Sequence, residues 1–272
     1  MRRLTFARAG AVLSAVIAAT ALPAQSLASR VAAIGNGSAQ FEFPARDGVC
    51  GDGRTYIRVN DSWSGNFNSS TDRSACEPGP VRIVLDVRAG RVTSLRDYAG
   101  PMPALPNGVI ELGLVTAAEG SSYLLSLAES QPEGRVANRA VFPAMLARDV
   151  VAWPTLLRIA KADGGGRRGR HEDVMFWLGQ YTAAKLGGSD DPFIPKGDHD
   201  EDDDESVKEH AVFALSQLQG GAGIDPLIQV ARTNKDQAVR AKAVFWLGQS
   251  GDPRALELFE QVLTGRSPGP RG

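Results

Sequence analysis

The N-terminal half of the chain alternates apolar and polar residues, as strands with one buried face do. Alternating runs occur at Phe41–Phe43, Tyr56–Val59 and Val81–Val87. Ala89-Gly90 follows the last of these runs and predicts a two-residue turn into a second strand at Arg91–Leu95. Residues 48–80 are rich in Gly, Ser, Asn and Asp, so we expect mostly loop there. The pattern predicts a small β-rich module over residues 29–115.

After residue 116 the apolar positions take helical spacing, beginning with a predicted helix at Ala117–Ala128. A short apolar motif ending in Phe then occurs four times, at Ala140-Val141-Phe142, Val174-Met175-Phe176, Ala211-Val212-Phe213 and Ala243-Val244-Phe245. The Phe-to-Phe separations are 34, 37 and 32 residues. Four occurrences at this period indicate stacked pairs of helices.

The residues after each Phe, and the second helix of each pair, repeat as well. The continuations are Trp177-Leu178-Gly179-Gln180, Ala214-Leu215-Ser216-Gln217 and Trp246-Leu247-Gly248-Gln249. Leu156–Lys161 aligns with Leu227–Arg232 as second helices, and Asp225-Pro226 and Asp252-Pro253 open two of them. Over about residues 135–265 the chain resembles the HEAT-repeat family, in the short form found in phycobilisome-lyase-like proteins.

The resemblance implies a mainly α fold class: a C-terminal α-solenoid of about four HEAT-type helical hairpins, preceded by the small β-rich module. We place the solenoid at residues 116–265 and a disordered tail at 266–272. An acidic insert at 187–205 interrupts it after the second motif, where Gly and Pro residues precede the run Asp198–Glu205. That run lacks the ligand spacing of an EF-hand loop, so we expect a solvated loop.

The N-terminus has the layout of a secretory signal peptide. Three basic residues (Arg2, Arg3 and Arg8), an apolar run at Ala9–Leu22 and Pro23 follow one another in that order. Ser26-Leu27-Ala28 is the preferred cleavage motif, which gives a signal peptide at residues 1–28, and cleavage after Ala24 is the alternative. A buried N-terminal helix is the competing interpretation. We therefore expect a periplasmic or secreted protein, exported by a Sec-type signal.

Only two cysteines are present, Cys50 and Cys76, and both lie in the β-rich module. In an exported protein such a pair predicts a disulfide. Without residues 1–28 the chain keeps 27 basic and 31 acidic residues, a net charge of −4. This balance argues against a nucleic-acid partner, and no later stretch is apolar enough for a membrane span.

One segment suggests an enzyme. Arg170-His171-Glu172 at a repeat-helix start resembles the His-Glu dipeptides by which deoxyhypusine hydroxylase, a HEAT-repeat enzyme, holds iron. However, His171 lies five residues before its Phe and His210 three before its own, which is about 200° of helix rotation. The two side chains should point in different directions. We therefore expect no metal site, no cofactor and no catalytic residue, with His171 exposed at a helix start.

The remaining candidates are binding residues. The repeat aromatics are expected in the core between repeats, namely Trp177, Phe213, Phe245 and Trp246. On the second helices, Arg158, Gln229 and Glu260 share one polar column, and Lys161 and Arg232 share another. The leading hypothesis is a scaffold that binds a protein or peptide in a bacterial-type cell envelope. The alternatives are the metal-dependent enzyme and a purely structural envelope component.

Overall fold

The computed structural model describes residues 25–59, 62–65, 76–101, 103, 107–130, 135–163, 170–186, 192 and 203–265 of the 272-residue chain. Most of the predicted signal peptide, most of the acidic insert and the predicted tail lie outside these residues. Strands occupy the N-terminal part of the described chain and helices the C-terminal part.

The strands form two four-stranded sheets. They are β1 Gly37–Phe43, β2 Val49–Gly51, β3 Tyr56–Val59, β4 Ser62–Gly65, β5 Glu77–Pro78, β6 Val81–Arg88, β7 Arg91–Ala99 and β8 Val109–Leu114. The first sheet has the order β7-β6-β1-β8, and the second has the order β4-β3-β2-β5. Neighbouring strands are antiparallel except β1 and β8, which are parallel.

The predicted hairpin is confirmed. β6 pairs with β7 along its whole length, and its odd-numbered residues Val81, Ile83, Leu85 and Val87 are buried. The connecting residues Ala89 and Gly90 have φ values of 49° and 72°, the left-handed values that a tight hairpin turn requires. β1 carries Phe41 and Phe43 into the same core.

The predicted disulfide is also confirmed. Cys50 on β2 bonds to Cys76, which lies immediately before β5, with the two Cα atoms 5.2 Å apart. The bond holds the two-residue strand β5 against β2. Asp52 turns the chain out of β2, because its carboxylate accepts hydrogen bonds from the Arg54 and Thr55 amides. Burial would raise the pKa of Asp52, but hydrogen bonds, led by that of the Thr55 hydroxyl, lower it to about 2.

Nine α-helices lie in the described chain: α1 Leu27–Ala32, α2 Ala117–Ser130, α3 Arg135–Met145, α4 Trp153–Asp163, α5 Arg170–Leu186, α6 Asp203–Ser216, α7 Ile224–Thr233, α8 Gln237–Ser250 and α9 Ala255–Thr264. The four Phe motifs fall on α3, α5, α6 and α8, and the predicted second helices are α4, α7 and α9. One boundary was wrong: α6 begins at Asp203, inside the segment predicted as loop. Acidic residues are favourable in a first helical turn, which explains the earlier start.

Contacts arrange the helices after α1 in two rows. One row runs α3, α5, α8, α6, and the other runs α2, α4, α9, α7. In a simple repeat array the hairpins stack in chain order. Here α8 packs against α5 and α7, and α9 packs against α5 and α4. The two helices thus lie between the pairs α4–α5 and α6–α7, and α5 packs against α8 rather than α6. The outer position of α6 leaves Phe213 43% exposed, which corrects the prediction of a core aromatic.

Two repeat glycines lie at the contact between α5 and α8. A Cβ on Gly179 would stand only 2.7 Å from the Gly248 Cα atom, and Gly251 at the end of α8 lies beside Glu172 at the start of α5. The helices are therefore antiparallel and cross with their backbones in direct contact. Both glycines occupy the position three residues after the motif Phe, where α6 has Ser216 and α3 has Met145.

The strands and helices share one hydrophobic core. α2 packs on the first sheet so closely that a Cβ on Gly120 would lie 2.6 Å from the Phe43 ring. The strand module is also hydrogen-bonded to the segment that follows α3, where the Arg46 amide donates to the Leu146 carbonyl at 2.8 Å. The β-rich module thus packs against the helices through α2 and through the segment that follows α3.

We predict that Gly248→Ala lowers the free energy of unfolding by about 1–3 kcal/mol, because the added methyl group would stand 3.0 Å from the Gly179 Cα atom. The loss should appear although Ala favours a helix over Gly by about 1 kcal/mol. Urea unfolding followed by circular dichroism measures it. The control is Ser216→Ala at the same motif position of α6, with an expected change within about 0.5 kcal/mol. Equal effects of the two substitutions would contradict the crossing.

We predict that replacing both cysteines with Ala lowers the free energy of unfolding by about 3.5 kcal/mol, because the disulfide closes a loop with a sequence separation of 26 residues. Urea denaturation of the oxidised protein and of the double variant gives the difference. Reductant should destabilise the parent protein by a similar amount and leave the variant unchanged. A parent protein insensitive to reductant would refute a stabilising role for the bond.

Candidate functional site

The described surface of the second row carries a series of ion pairs that join each helix to its neighbour. We call this surface the ion-pair row and define it by Glu129, Arg158, Lys161, Arg232, Glu257, Glu260 and Gln261. These side chains lie on α2, α4, α7 and α9. Four of the five residues predicted to bind a partner belong to it, and the fifth, Gln229, is exposed on α7.

The first bridge joins α2 to α4. The Arg158 guanidinium donates to both carboxylate oxygens of Glu129, at 2.6 and 2.9 Å. This bidentate geometry fixes the orientation of both side chains. The hydrogen bond from Arg158 lowers the pKa of the Glu129 carboxyl, so the pair stays charged well into acidic conditions.

The second bridge joins α4 to α9, and the third joins α9 to α7. Lys161 Nζ donates to Glu260 Oε1 at 2.6 Å, across a sequence separation of 99 residues. Arg232 Nη2 donates to Gln261 Oε1 at 3.2 Å and lies 4.0 Å from Glu257 Oε1. The sequence columns placed Lys161 and Glu260 apart, whereas the out-of-order position of α9 brings them into contact.

The bridges are exposed, which decides what they contribute. The side chains of Arg158 and Lys161 are 60% and 49% exposed, so solvent screens their ion pairs. Each such pair contributes only about 0–1 kcal/mol to stability. A partner that replaces these internal ion pairs with pairs to its own charges therefore loses little free energy. The ion-pair row is better suited to binding a partner than to stabilising the fold.

A small cavity lies where α4 and α9, two helices that carry the ion-pair row, meet α5. Trp153, Tyr181, Lys185 and Leu263 line it. Its volume of about 90 Å³ is far below the roughly 300–1,000 Å³ of pockets that take drug-sized ligands. The cavity has room for one side chain of a partner.

The sequence prediction for His171 was wrong. His171 is only 4% exposed, although the next residue at the start of α5, Glu172, is exposed. Among the residues that the structure describes, neither ring nitrogen has a hydrogen-bond partner. The adjacent Arg170 is also buried, and its Nη1 donates to the Ala128 carbonyl at 2.7 Å. His210, by contrast, is exposed on α6.

The carboxyl groups near His171 do not gather into a ligand set. Burial, with a further contribution from the charge of Glu172, raises the pKa of Asp173 to about 6. Glu172 lies beside Gly251 of α8. Across the described residues, no group of three or more His, Cys, Asp and Glu side chains is placed to hold a metal ion.

Comparison with known proteins supports the repeat assignment. Residues 199–271 match the family of HEAT repeats, a segment that contains α6, α7, α8 and α9. The predicted resemblance is thereby confirmed for this segment. No curated protein and no solved structure matches the chain. Within the ranges that the structure describes, no helix is both long enough and apolar enough to cross a membrane.

We predict that His171→Leu leaves the free energy of unfolding unchanged or raises it by up to about 1 kcal/mol, because it removes two buried ring nitrogens that have no partner. The neighbouring Arg170→Leu should instead cost about 1–3 kcal/mol, since it leaves the buried Ala128 carbonyl without this donor. Urea unfolding at pH 7 compares the two variants. A loss above about 2 kcal/mol for His171→Leu would show that the imidazole makes a necessary polar contact.

Proposed function

We propose that the protein is an exported scaffold whose helices form a short solenoid-type array and bind a protein or peptide. The observation that carries the proposal is the ion-pair row, which runs over α2, α4, α9 and α7 beside a cavity of side-chain size. HEAT repeats act as protein-interaction scaffolds, and extended surfaces built from successive helices are how repeat proteins bind. The match at residues 199–271 supports this role for the C-terminal helices.

The chemistry of the ion-pair row defines the partner. The sign of its charges alternates from helix to helix, with Glu129 on α2, Arg158 and Lys161 on α4, Glu257 and Glu260 on α9, and Arg232 on α7. A complementary surface carries both signs of charge in a matching order. We propose that the partner is a mixed-charge protein or peptide segment that places one side chain in the cavity lined by Trp153, Tyr181, Lys185 and Leu263.

The location belongs to the same proposal. The basic and apolar residues before Pro23 follow the signal-peptide layout, and the Cys50–Cys76 disulfide is compatible with an oxidising compartment. Together they support a periplasmic or secreted protein of a bacterial-type envelope. We propose a binding role rather than a catalytic one. The buried His171 and the exposed His210 give no observation that favours the His-Glu type of metal enzyme.

We predict that the double substitution Lys161→Glu with Glu260→Lys weakens partner binding at least about 10-fold while leaving the melting temperature within about 2 °C. The exchange keeps an oppositely charged pair at the same place, so stability is retained. It inverts the charge order that a partner meets, and like charges across an interface are repulsive. Affinity capture from the native envelope fraction, followed by titration of the captured protein, should show binding weakened at least about 10-fold.

The matched control is the exchange Arg96→Asp with Asp86→Arg, an exposed ion pair at 3.1 Å on the β-rich module. It should leave capture unchanged. If the exchange in the ion-pair row retains full capture, the binding surface lies elsewhere. If no partner is captured by the parent protein, the structural-component alternative replaces the scaffold. Near-stoichiometric iron in the purified protein, lost on His171→Ala, would support the enzyme instead.

A further inference from the structure

α1 is an integral part of the folded core. Leu27 is 1% exposed and Val31 is 2% exposed, and both belong to the cluster that the strands and the longer helices share. α1 packs against α2, and the Leu27 amide donates to the Glu119 carboxylate at 2.8 Å. A helix of six residues is held by such contacts rather than by its own propensity.

The residues that begin α1 are the ones that the preferred cleavage motif would remove. The Ser26 hydroxyl accepts a hydrogen bond from the Ser29 amide, and the Ser26 carbonyl accepts one from the Arg30 amide at 3.0 Å. Cleavage after Ala28 would delete this cap together with Leu27. It would leave a leucine-sized void in the core and deprive the Glu119 carboxylate of its donor.

The segment that follows α1 is tied to the sheet at several points. The Arg30 guanidinium donates to the Leu112 carbonyl on β8. Asn36 Oδ1 accepts from the Ala89 amide at 3.1 Å, and the Gly35 carbonyl accepts from the Gly90 amide at 2.8 Å. α1 is therefore fixed at both ends. By contrast, Gln25 and Ser26 are exposed.

We propose that the processing site is the Ala24–Gln25 bond, so that the mature protein begins at Gln25 and keeps α1. The inference rests on the proposed export. A signal peptidase hydrolyses this bond with one water molecule, which leaves a carboxylate on Ala24 of the released peptide and an amino group on Gln25. Ala24 supplies the small residue directly before the bond, whereas the third position before it, usually small as well, is Leu22. The small-x-small motif Ser26-Leu27-Ala28 is used instead to cap and anchor α1.

The first test is the N-terminus of the exported protein. The full chain is produced in a bacterial host with an outer membrane, and the periplasmic fraction is analysed by N-terminal sequencing and intact mass. The expected first residue is Gln25, seen directly or as pyroglutamate, which is about 17 Da lighter. A first residue at Ser29 in that fraction overturns the processing site and leaves export standing. An unprocessed chain retained in the cytoplasm overturns both.

The second test measures what the four residues contribute. Two forms are exported behind a heterologous leader, one beginning at Gln25 and one beginning at Ser29, and their melting temperatures are compared. The shorter form should melt about 5–15 °C lower, because it lacks a fully buried leucine. Leu27→Ala in the longer form should reproduce most of this loss, whereas Ala28→Ser at an exposed position should not. Equal melting temperatures of the two forms would overturn the proposal.

Discussion

The crossing of α5 and α8 at Gly179 and Gly248 decides how the helices assemble. Two helices whose backbones touch need residues without a Cβ on both sides of the contact, and only two of the four motifs supply one. Ser216 of α6 and Met145 of α3 would hold the backbones apart. The closest pairing is thus reserved for the second and fourth motifs, although the third lies between them in the chain. The close approach of the two backbones strengthens the dispersion attraction between α5 and α8, because each pair of atoms in contact adds to it.

The surface follows from that pairing. α9 follows α8 in the chain but packs on α5, between α4 and α7, and it presents Glu260 to Lys161 on one side. On its other side α9 presents Glu257 and Gln261 to Arg232. A stack in chain order would have placed α7 beside α4 and given a different sequence of charges. The order of charges in the ion-pair row therefore depends on the packing of α5 against α8, although neither helix carries a residue of the row.

The local pattern along the chain predicted the local structure well. The hairpin of Val81–Val87 with Arg91–Leu95, the disulfide and most repeat helices need only periodicity, turn chemistry or spacing to be found. Features that depend on distant helices were missed. The burial of His171 was not predicted, and Arg158 and Arg232 find their partners Glu129, Glu257 and Gln261 on other helices. α1 was missed because Leu27 follows an apolar leader pattern. Gly179 and Gly248 are visible in the repeat motifs. Their role in the crossing becomes clear only because the third motif has Ser216 at the same position.

The contact between α5 and α8, which are far apart in the chain, also governs when the fold can form. In a linear repeat protein each hairpin completes the one before it, so the array can grow as the chain emerges. In this protein α5 obtains its main partner only after α8, which ends at Ser250, is available. Contacts of such long sequence separation are slow to form. The close crossing of α5 is therefore completed only once α8 is present. Loss of α8 and α9 would remove an interior member from each row and leave α6 and α7 without their neighbours in those rows.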